Sequence, residues 1–239
     1  LKPIAAAAML VVGIGGSTAA LAQDAATYPS RPVTVITPFA AGSGNDIVAR
    51  NISQRLSERL GQPFVVENQG GAGGITGMTA MTHATADGYT IGMGSNSTVT
   101  IGPQLMLNPP YDPVSDVTGV ALVAAGPWLL ITHPGLGLKS VAELVDYAKS
   151  HPGELNYCSA GVGTTHQLAF EVFKNLAGID IVHIPYQGAA PCNTAVMAGE
   201  VQMTFGPVLS SKGGIEAGQL TALAVTSGNR LEVLPDLPT

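Results

Sequence analysis

Charged residues are scarce in this chain. Asp, Glu, Lys and Arg make up 11% of its 239 residues, against about a quarter in typical soluble domains. Disordered chains combine high charge with few apolar residues, so this composition, with 46% hydrophobic residues, excludes a disordered protein. The net charge of −6 and the lack of any basic run also argue against nucleic acid and anionic membranes as partners.

Recognised enzyme and metal motifs are missing as well. The sequence contains no P-loop, no H-E-x-x-H and no serine with glycines two residues to either side. Its histidines and acids show no metal-ligand spacing. We therefore predict no catalytic residue, no metal and no cofactor.

Cysteine is nearly absent, with Cys158 and Cys192 the two in the chain. They form no C-x-x-C pair, which excludes a zinc or redox motif of that type. In an exported protein the two can pair, but two buried free thiols fit the sequence equally well. A sequence does not give the Cα separation that a bridge requires, so both alternatives stay open.

Glycine and proline are abundant, with 30 and 17 residues. From residue 30 onwards, apolar runs typical of strands alternate with stretches of helical periodicity, which predicts an α/β fold with mostly parallel sheets. The predicted strands are Val33–Pro38, Phe64–Glu67, Thr90–Gly94, Gly119–Ala124, Leu129–His133, Leu155–Tyr157, Ile181–Pro185, Val201–Phe205 and Thr221–Thr226. The predicted helical stretches are Ile47–Leu60, Ile75–Ala84, Val141–Ala148, Leu168–Leu176 and Cys192–Ala198.

The first 22 residues have the features of a signal peptide. Lys2 precedes an apolar run from Ile4 to Gly16, and small residues end in Ala20-Leu21-Ala22. The alternative, a membrane anchor, needs about 20 apolar residues, and glycine, serine and threonine interrupt this run. We predict export with cleavage after Ala22.

Two glycine-rich loops, 40–46 and 159–166, each follow a predicted strand and open a helix. Free backbone N–H groups and the positive end of the helix dipole favour an anion at such a place. Neither loop is a dinucleotide-binding fingerprint, because Ile47 and His166 stand where the third glycine belongs. The alternative interpretation is a tight turn with a helix N-cap.

The N-cap candidates are Asp46 in the first loop and Thr164 or Thr165 in the second. Asp46 is expected to order its loop rather than touch an anion, since carboxylates repel one another. Hydroxyl, amide and backbone donors would hold a bound carboxylate, because Lys and Arg are missing from 40–46, 94–98, 159–166 and 186–190.

Other distinctive side chains favour packing roles. His133 and His183 lie in or beside apolar strands, where ordinary core or boundary histidines are expected. Ala125-Gly126-Pro127 separates two predicted strands and is where we expect the chain to leave one domain. Trp128, beside Pro127, is expected to pack rather than stack on a ligand. His166 alone among the histidines lies in a candidate site.

Seven blocks of sequence between Tyr28 and Thr239 together resemble the Bug family, the periplasmic receptors of tripartite tricarboxylate transporters. They are YPSRPVTVITPFAAGSGNDIVAR, ENQGGAGGITG, DGYTIGMGSNSTVTIGPQL, PYDPVSD, YCSAGVGTTHQLAFEVF, HIPYQGAAPCNTAVMAGEVQMTF and ALAVTSGNRLEVLPDLPT. The first loop matches the family pattern P-P-G-G-x-T-D at Gly42 and Asp46. In the second loop Gln167 stands in the family's histidine position, and Gln187 replaces a basic residue of the block P-Y-[KR]-G.

The resemblance implies a two-lobed periplasmic binding protein of the second type, with a mostly parallel sheet and flanking helices in each lobe. Lobe one would comprise 30–127 plus 222–239 and lobe two 128–221. Family chains continue beyond LPDLPT, so lobe one is expected to be incomplete at its C-terminus.

The implied function is capture of a small organic carboxylate between the lobes and its transient delivery to membrane transporter subunits by a monomer. Ser159, Thr164, Thr165 and the backbone at Gly163 would hold one carboxylate from lobe two. The full set of predicted ligand-binding residues is Phe39, Ala40, Ser43, Gly44, Asn45, Asp46, Ser95, Asn96, Ser97, Thr98, Ser159, Gly161, Gly163, Thr164, Thr165, His166, Tyr186, Gln187 and Gly188.

Two other functions compete with transport. A sensory protein could bind the same ligand and signal to a membrane kinase. A periplasmic hydrolase could use Ser159 or Ser43 with His166, but the missing nucleophile elbow and the missing acid partner argue against it.

Overall fold

A computed structural model describes residues 28–239, so the predicted signal peptide at 1–22 lies outside the described residues. Strands and helices alternate along most of this part of the chain. The strands are β1 (Val33–Thr37), β2 (Phe64–Asn68), β3 (Thr90–Gly92), β4 (Trp128–Thr132), β5 (Asn156–Ser159), β6 (Val182–Pro185), β7 (Met203–Pro207) and β8 (Thr221–Val225). The helices are α1 (Gly44–Leu60), α2 (Ile75–Thr82), α3 (Val141–Ser150), α4 (Thr165–Ala177), α5 (Ala189–Met197) and α6 (Val208–Glu216).

The first sheet has three parallel strands in the order β2-β1-β3. Val33, Val35 and Phe64 pack with Ala49 of α1 and with Tyr89 to form its core. A parallel sheet needs crossover connections, and α1 and α2 supply them. The first sheet and its two helices therefore have the alternating strand–helix order that the sequence predicted.

The second sheet has five strands in the order β6-β5-β7-β4-β8. β5 pairs in parallel with β6 and β7, whereas β4 runs antiparallel to both β7 and β8. Apolar cores cover both faces of this sheet, one around Tyr157 and Phe170 and the other around Ile131 and Val196. The mostly parallel character expected from the sequence holds, with β4 as the exception.

Three sequence predictions differ from the structure. Residues 119–124 form no strand, and Val120 is 91% exposed, because no strand among the described residues pairs with this run. Residues 222–225, assigned above to lobe one, lie in β8 of the second sheet, since they hydrogen-bond to β4. Helix α6 was not predicted, because Gly213, Gly214 and its serines have low helix propensity.

The predicted loops follow the carboxyl ends of β1, β3, β5 and β6. In open α/β sheets this edge is where ligands bind. The structure joins Cys158 at the end of β5 to Cys192 in α5 by a disulfide, with the two Cα atoms 5.7 Å apart. Both cysteines are buried, so the bridge fastens the base of one loop to the helix that follows another.

Candidate functional site

The first loop is ordered by a reciprocal cap at the start of α1. Ser43, not Asp46, is the N-cap residue, and its Oγ accepts a hydrogen bond from the Asp46 N–H at 3.3 Å. The Asp46 carboxylate accepts in return from the Gly42 N–H at 2.9 Å. The expected N-cap position was therefore wrong by three residues, because Asp46 lies inside the first turn, where its carboxylate can reach back.

Asp46 is buried, and several hydrogen bonds hold its carboxylate. Its carboxylate lies 3.0 Å from Arg50 Nη2 and accepts from Asn68 Nδ2 at 2.9 Å. Burial alone would raise the pKa of this carboxyl, but hydrogen bonds from Arg50, Gly42 and Asn68 outweigh that effect and hold it below its usual range. Asp46 is thus ionised at pH 7 and serves to order the loop.

The second loop is also closed on itself. Thr164 is the N-cap of α4, and its hydroxyl donates to the Gly161 carbonyl at 2.6 Å. The Gly161 N–H donates to Ser159 Oγ at 3.1 Å, and the Gly163 N–H donates to Gln167 Oε1 at 2.8 Å. Two of the donors predicted for a ligand therefore hold the loop in shape.

His166 faces the interior rather than forming a catalytic pair. Its Nδ1 accepts from the Ala160 N–H at 3.0 Å, and its ring lies edge-on to Trp128 at 4.1 Å. Burial lowers the pKa of His166 to about 3, so the ring is neutral at pH 7. The fully buried Ser159 contacts His183 Nε2 at 2.6 Å instead, and Ser43 caps α1. Neither serine is paired with His166 as the hydrolase hypothesis required.

The two sheets meet directly through the predicted loops. The Thr165 N–H donates to Ser97 Oγ at 3.0 Å, and the two hydroxyl oxygens lie 3.2 Å apart. The turn that carries Ser97 is supported from below by the buried Tyr111, whose hydroxyl donates to the Thr98 carbonyl at 2.6 Å. We call the surface at which the loops of the two sheets touch the junction.

Glycine lines the centre of the junction, where backbone meets backbone. A Cβ added at Gly73, in the loop between β2 and α2, would lie 2.5 Å from the Val162 carbonyl oxygen. One added at Gly161 would lie 3.0 Å from the Gly73 backbone. Both residues also have positive φ, of +66° and +130°. No other residue type fits this contact without moving one loop away from the other.

The rest of the junction brings the first loop against α5 and α6. A Cβ added at Gly188 would lie 3.2 Å from the Ala40 N atom, and one at Gly42 would lie 3.5 Å from the Ala190 Cβ. A Cβ at Gly44 would lie 3.5 Å from Pro207. Helices α1, α4, α5 and α6 therefore all begin at or beside this surface.

Most of the predicted site residues reach the junction region, but they play different parts. Phe39 is buried, and its ring lies beside Gly74. Asn96 and Gln187 are exposed, while Tyr186 is half-buried and packs against the core beneath α5. The sequence predictions missed the glycine loop at 70–74, Gln167 and His183. The run NQGGAGG after a strand was a usable signal for the first of these, whereas nothing local pointed to His183.

The junction carries few charged groups. Loops 40–46, 94–98, 159–166 and 186–190 contain Asp46 as their single charged side chain, and that residue is paired with Arg50. Within residues 28–239 no group of three or more His, Cys, Asp or Glu side chains is arranged to hold a metal ion. In the same range no helix is long and apolar enough to cross a bilayer. Neutral donors and helix N-termini thus dominate the chemistry of the site.

The chain is similar to known proteins over most of its length. Residues 48–239 match the model of the tripartite tricarboxylate transporter family receptor. Protein BugT of Bordetella pertussis is 36% identical over 234 residues, which cover 97% of this chain and 72% of BugT.

Solved structures are similar over the same region. An R. palustris protein solved with adipate is 37% identical with a TM-score of 0.86, covering 89% of this chain and 71% of that protein. MatC from Rhodopseudomonas palustris, solved with bound malate, is 32% identical with a TM-score of 0.84, covering 89% of this chain and 72% of MatC. The two-sheet fold is that of the periplasmic binding proteins of this kind.

Proposed function

The chain belongs to the tripartite tricarboxylate transporter receptor family, whose members are solute-binding receptors, and we propose that it holds a small dicarboxylate at the junction. The observation that carries this proposal is the meeting of neutral, donor-rich loops from two sheets, as in Ser97 against Thr165. The loops at 40–46 and 159–166, one from each sheet, follow the carboxyl end of a strand and open a helix, so both sides of the junction favour negative charge. A diacid would engage one side with each carboxylate.

The energetics require donors from both sides. A hydrogen bond to a charged group contributes about 1.5–3 kcal/mol, and micromolar affinity corresponds to about 8 kcal/mol after association costs. Several donors are therefore needed, more than either loop offers alone, since Gly161 and Gly163 already donate within their own loop. Adipate and malate, the ligands named with the two similar structures, are both diacids.

A calorimetric comparison of matched ligands tests the proposal. Adipate and malate are titrated into the protein, with adipamide as an uncharged match for adipate and hexanoate as a match with one carboxylate. We expect a diacid to bind, the monoacid to bind at least about tenfold more weakly, and the diamide not to bind, because charge-assisted bonds are about twice as strong as neutral ones. Equal binding of diacid and diamide would refute the role of charge.

Thr165→Val tests the position of the site. It removes the hydroxyl that faces Ser97 while keeping the shape of the side chain. Loss of one donor to a charged ligand should weaken binding by about 10- to 150-fold. Thr194→Val is the control, because Thr194 is exposed on α5 and its hydroxyl donates only to the Ala190 carbonyl of its own helix. Equal affinities of the two variants would place the site elsewhere.

The same proposal includes export, a monomeric state and transport rather than catalysis. We expect a mature protein that begins at Gln23, resides in the periplasm and contacts membrane transporter subunits transiently. N-terminal sequencing of exported protein checks the first point, and a product that retains Lys2 in the membrane fraction would contradict it. The cation-free loops also predict little salt dependence of binding, because no exposed ion pair would contribute.

A further inference from the structure

The side-chain amide of Gln167 is fixed from both ends. The Gly163 N–H donates at 2.8 Å to the amide oxygen Oε1, so the other end of the amide must be the nitrogen. That nitrogen, Nε2, donates to Nδ1 of His183 at 3.4 Å. The acceptor role of Nδ1 places the ring proton of a neutral His183 on Nε2.

The second ring nitrogen of His183 reaches the other part of the same loop. Nε2 lies 2.6 Å from Ser159 Oγ, and that hydroxyl accepts from the Gly161 N–H and donates to the Gly161 carbonyl. His183 lies on strand β6 and is in register with Tyr157 of β5, which places its ring beside the loop that follows β5. One imidazole thus supports both glycine amides of the second loop through two different side chains.

We infer that His183 is a positioning residue for the ligand loop, and that its support of Gly163 through Gln167 lasts only while its ring is neutral. The inference rests on the proposed function for its consequence, which is a binding affinity that falls as His183 becomes protonated. The geometry supplies the reason. A proton on Nδ1 would face the Gln167 amide nitrogen, which is also a donor, and turning the amide over would place that nitrogen against the Gly163 N–H.

The groups around the His183 ring shift its pKa in opposite directions. Tyr157 stacks on it with ring centroids 4.8 Å apart, and the Tyr157 hydroxyl donates to Glu171 at 2.6 Å. Burial lowers the pKa of His183, Glu171 raises it and Lys174 lowers it, and the sum lies below the usual value. The neutral ring is therefore favoured in the ordered loop above about pH 6.5, and the support is lost as the pH falls through the lowered value.

Three substitutions separate positioning from simple structural loss. His183→Asn keeps an acceptor toward Gln167 but cannot be protonated, whereas His183→Ala removes both contacts. Gln167→Glu keeps the acceptor for the Gly163 N–H and offers an acceptor to a protonated Nδ1. His151→Asn is the matched control, because His151 stacks on Tyr147 in the helix α3 region and takes no part in the loop.

Adipate and malate affinities are measured by calorimetry from about pH 8 down to about pH 4.5, because the pKa of His183 lies below the usual value of about 6.5. We expect the parent and His151→Asn to lose about threefold to tenfold more affinity than His183→Asn over this range, the worth of one net hydrogen bond. The comparison with His183→Asn cancels protonation of the ligand, whose carboxyls titrate near pH 4–5. Gln167→Glu should lose less affinity than the parent, and His183→Ala should bind about threefold to tenfold more weakly at pH 8.

Nuclear magnetic resonance of the ligand-free protein tests the inference separately from the proposed function. We expect the Gly163 amide resonance to titrate with the same midpoint as the His183 ring in the parent, and not in His183→Asn. If neither diacid binds at pH 8, the proposed ligand class fails while this titration still decides the positioning role. A Gly163 amide resonance that does not titrate with the His183 ring would overturn the inference. Identical pH dependence of the diacid affinity in the parent and in His183→Asn would overturn it as well.

Discussion

Replacement of Gly73 by alanine should separate the two sides of the junction. The added Cβ would lie 2.5 Å from the Val162 carbonyl oxygen and 3.2 Å from Thr164 Cγ2. Real Cβ atoms do not approach backbone oxygens so closely, so one of the two loops has to move. The movement would occur at the surface to which we assign the dicarboxylate.

The size of the effect follows from two contributions. Alanine in the left-handed region costs about 1–2 kcal/mol, and Gly73 has φ +66°. Overpacking of a tight contact adds about 1–3 kcal/mol. Gly137→Ala isolates the first contribution, because Gly137 has φ +68° and a Cβ there would meet nothing within 4 Å.

Both variants are compared by urea unfolding and by calorimetric titration with the diacid. We expect a similar backbone penalty in the two proteins, while Gly73→Ala alone also weakens binding by about 5- to 150-fold, the equivalent of the overpacking energy. Circular dichroism confirms that each variant is folded before it is titrated. Equal affinities of folded Gly73→Ala and Gly137→Ala would refute the assignment of the ligand to the junction.

Two further predictions concern the supports of the loops. Asp46→Ala should lower the free energy of unfolding by about 0.5–2 kcal/mol at neutral pH, as for loss of a helix cap, and equal losses in urea unfolding at neutral and acid pH would contradict it. A carboxyl with a lowered pKa stabilises the fold above its unfolded value of about 3.9 and loses that effect as the pH falls. Replacing both Cys158 and Cys192 by serine should cost about 4 kcal/mol, the loop-closure entropy for a separation of 34 residues; two titratable thiols in denatured, unreduced parent protein would rule out the bridge.

Local patterns in the sequence were sufficient to predict those helix and strand boundaries that depend on local residues alone. Helix α1 ends at Gly61, which adopts φ 72° as its C-cap, and the strand starts at Val33 and Phe64 follow the apolar runs. The run at 119–124 has the same local pattern and forms no strand, because a strand needs a partner as well as a pattern. Helix α6 shows the converse, since packing overrides the poor propensity of its glycines.

The candidate site was predictable as a set of loops but not as a set of contacts. Strand ends and glycine runs locate the loops at 40–46 and 159–166, because the carboxyl ends of parallel strands share one edge of a sheet. Which loop touches which depends on how the two sheets pack, and no local pattern encodes that. His183 illustrates the limit, since its role arises from its register with Tyr157 on the neighbouring strand.

The contact between Ser97 and Thr165 bears directly on how a diacid would bind. The Thr165 N–H donates to Ser97 Oγ at 3.0 Å, so a carboxylate between the loops has to replace an existing hydrogen bond rather than fill an unused donor. The exchange is favourable because a carboxylate is the stronger acceptor, and a bond to a charged acceptor is about twice as strong as a neutral one. The binding free energy that this N–H contributes is then the difference between its bond to the carboxylate and its bond to Ser97. Because each such difference is small, affinity depends more on the number of donors than on the strength of any one of them. A receptor built in this way needs both carboxylates of its ligand, and it should discriminate against monoacids more strongly than a site with a fixed cation.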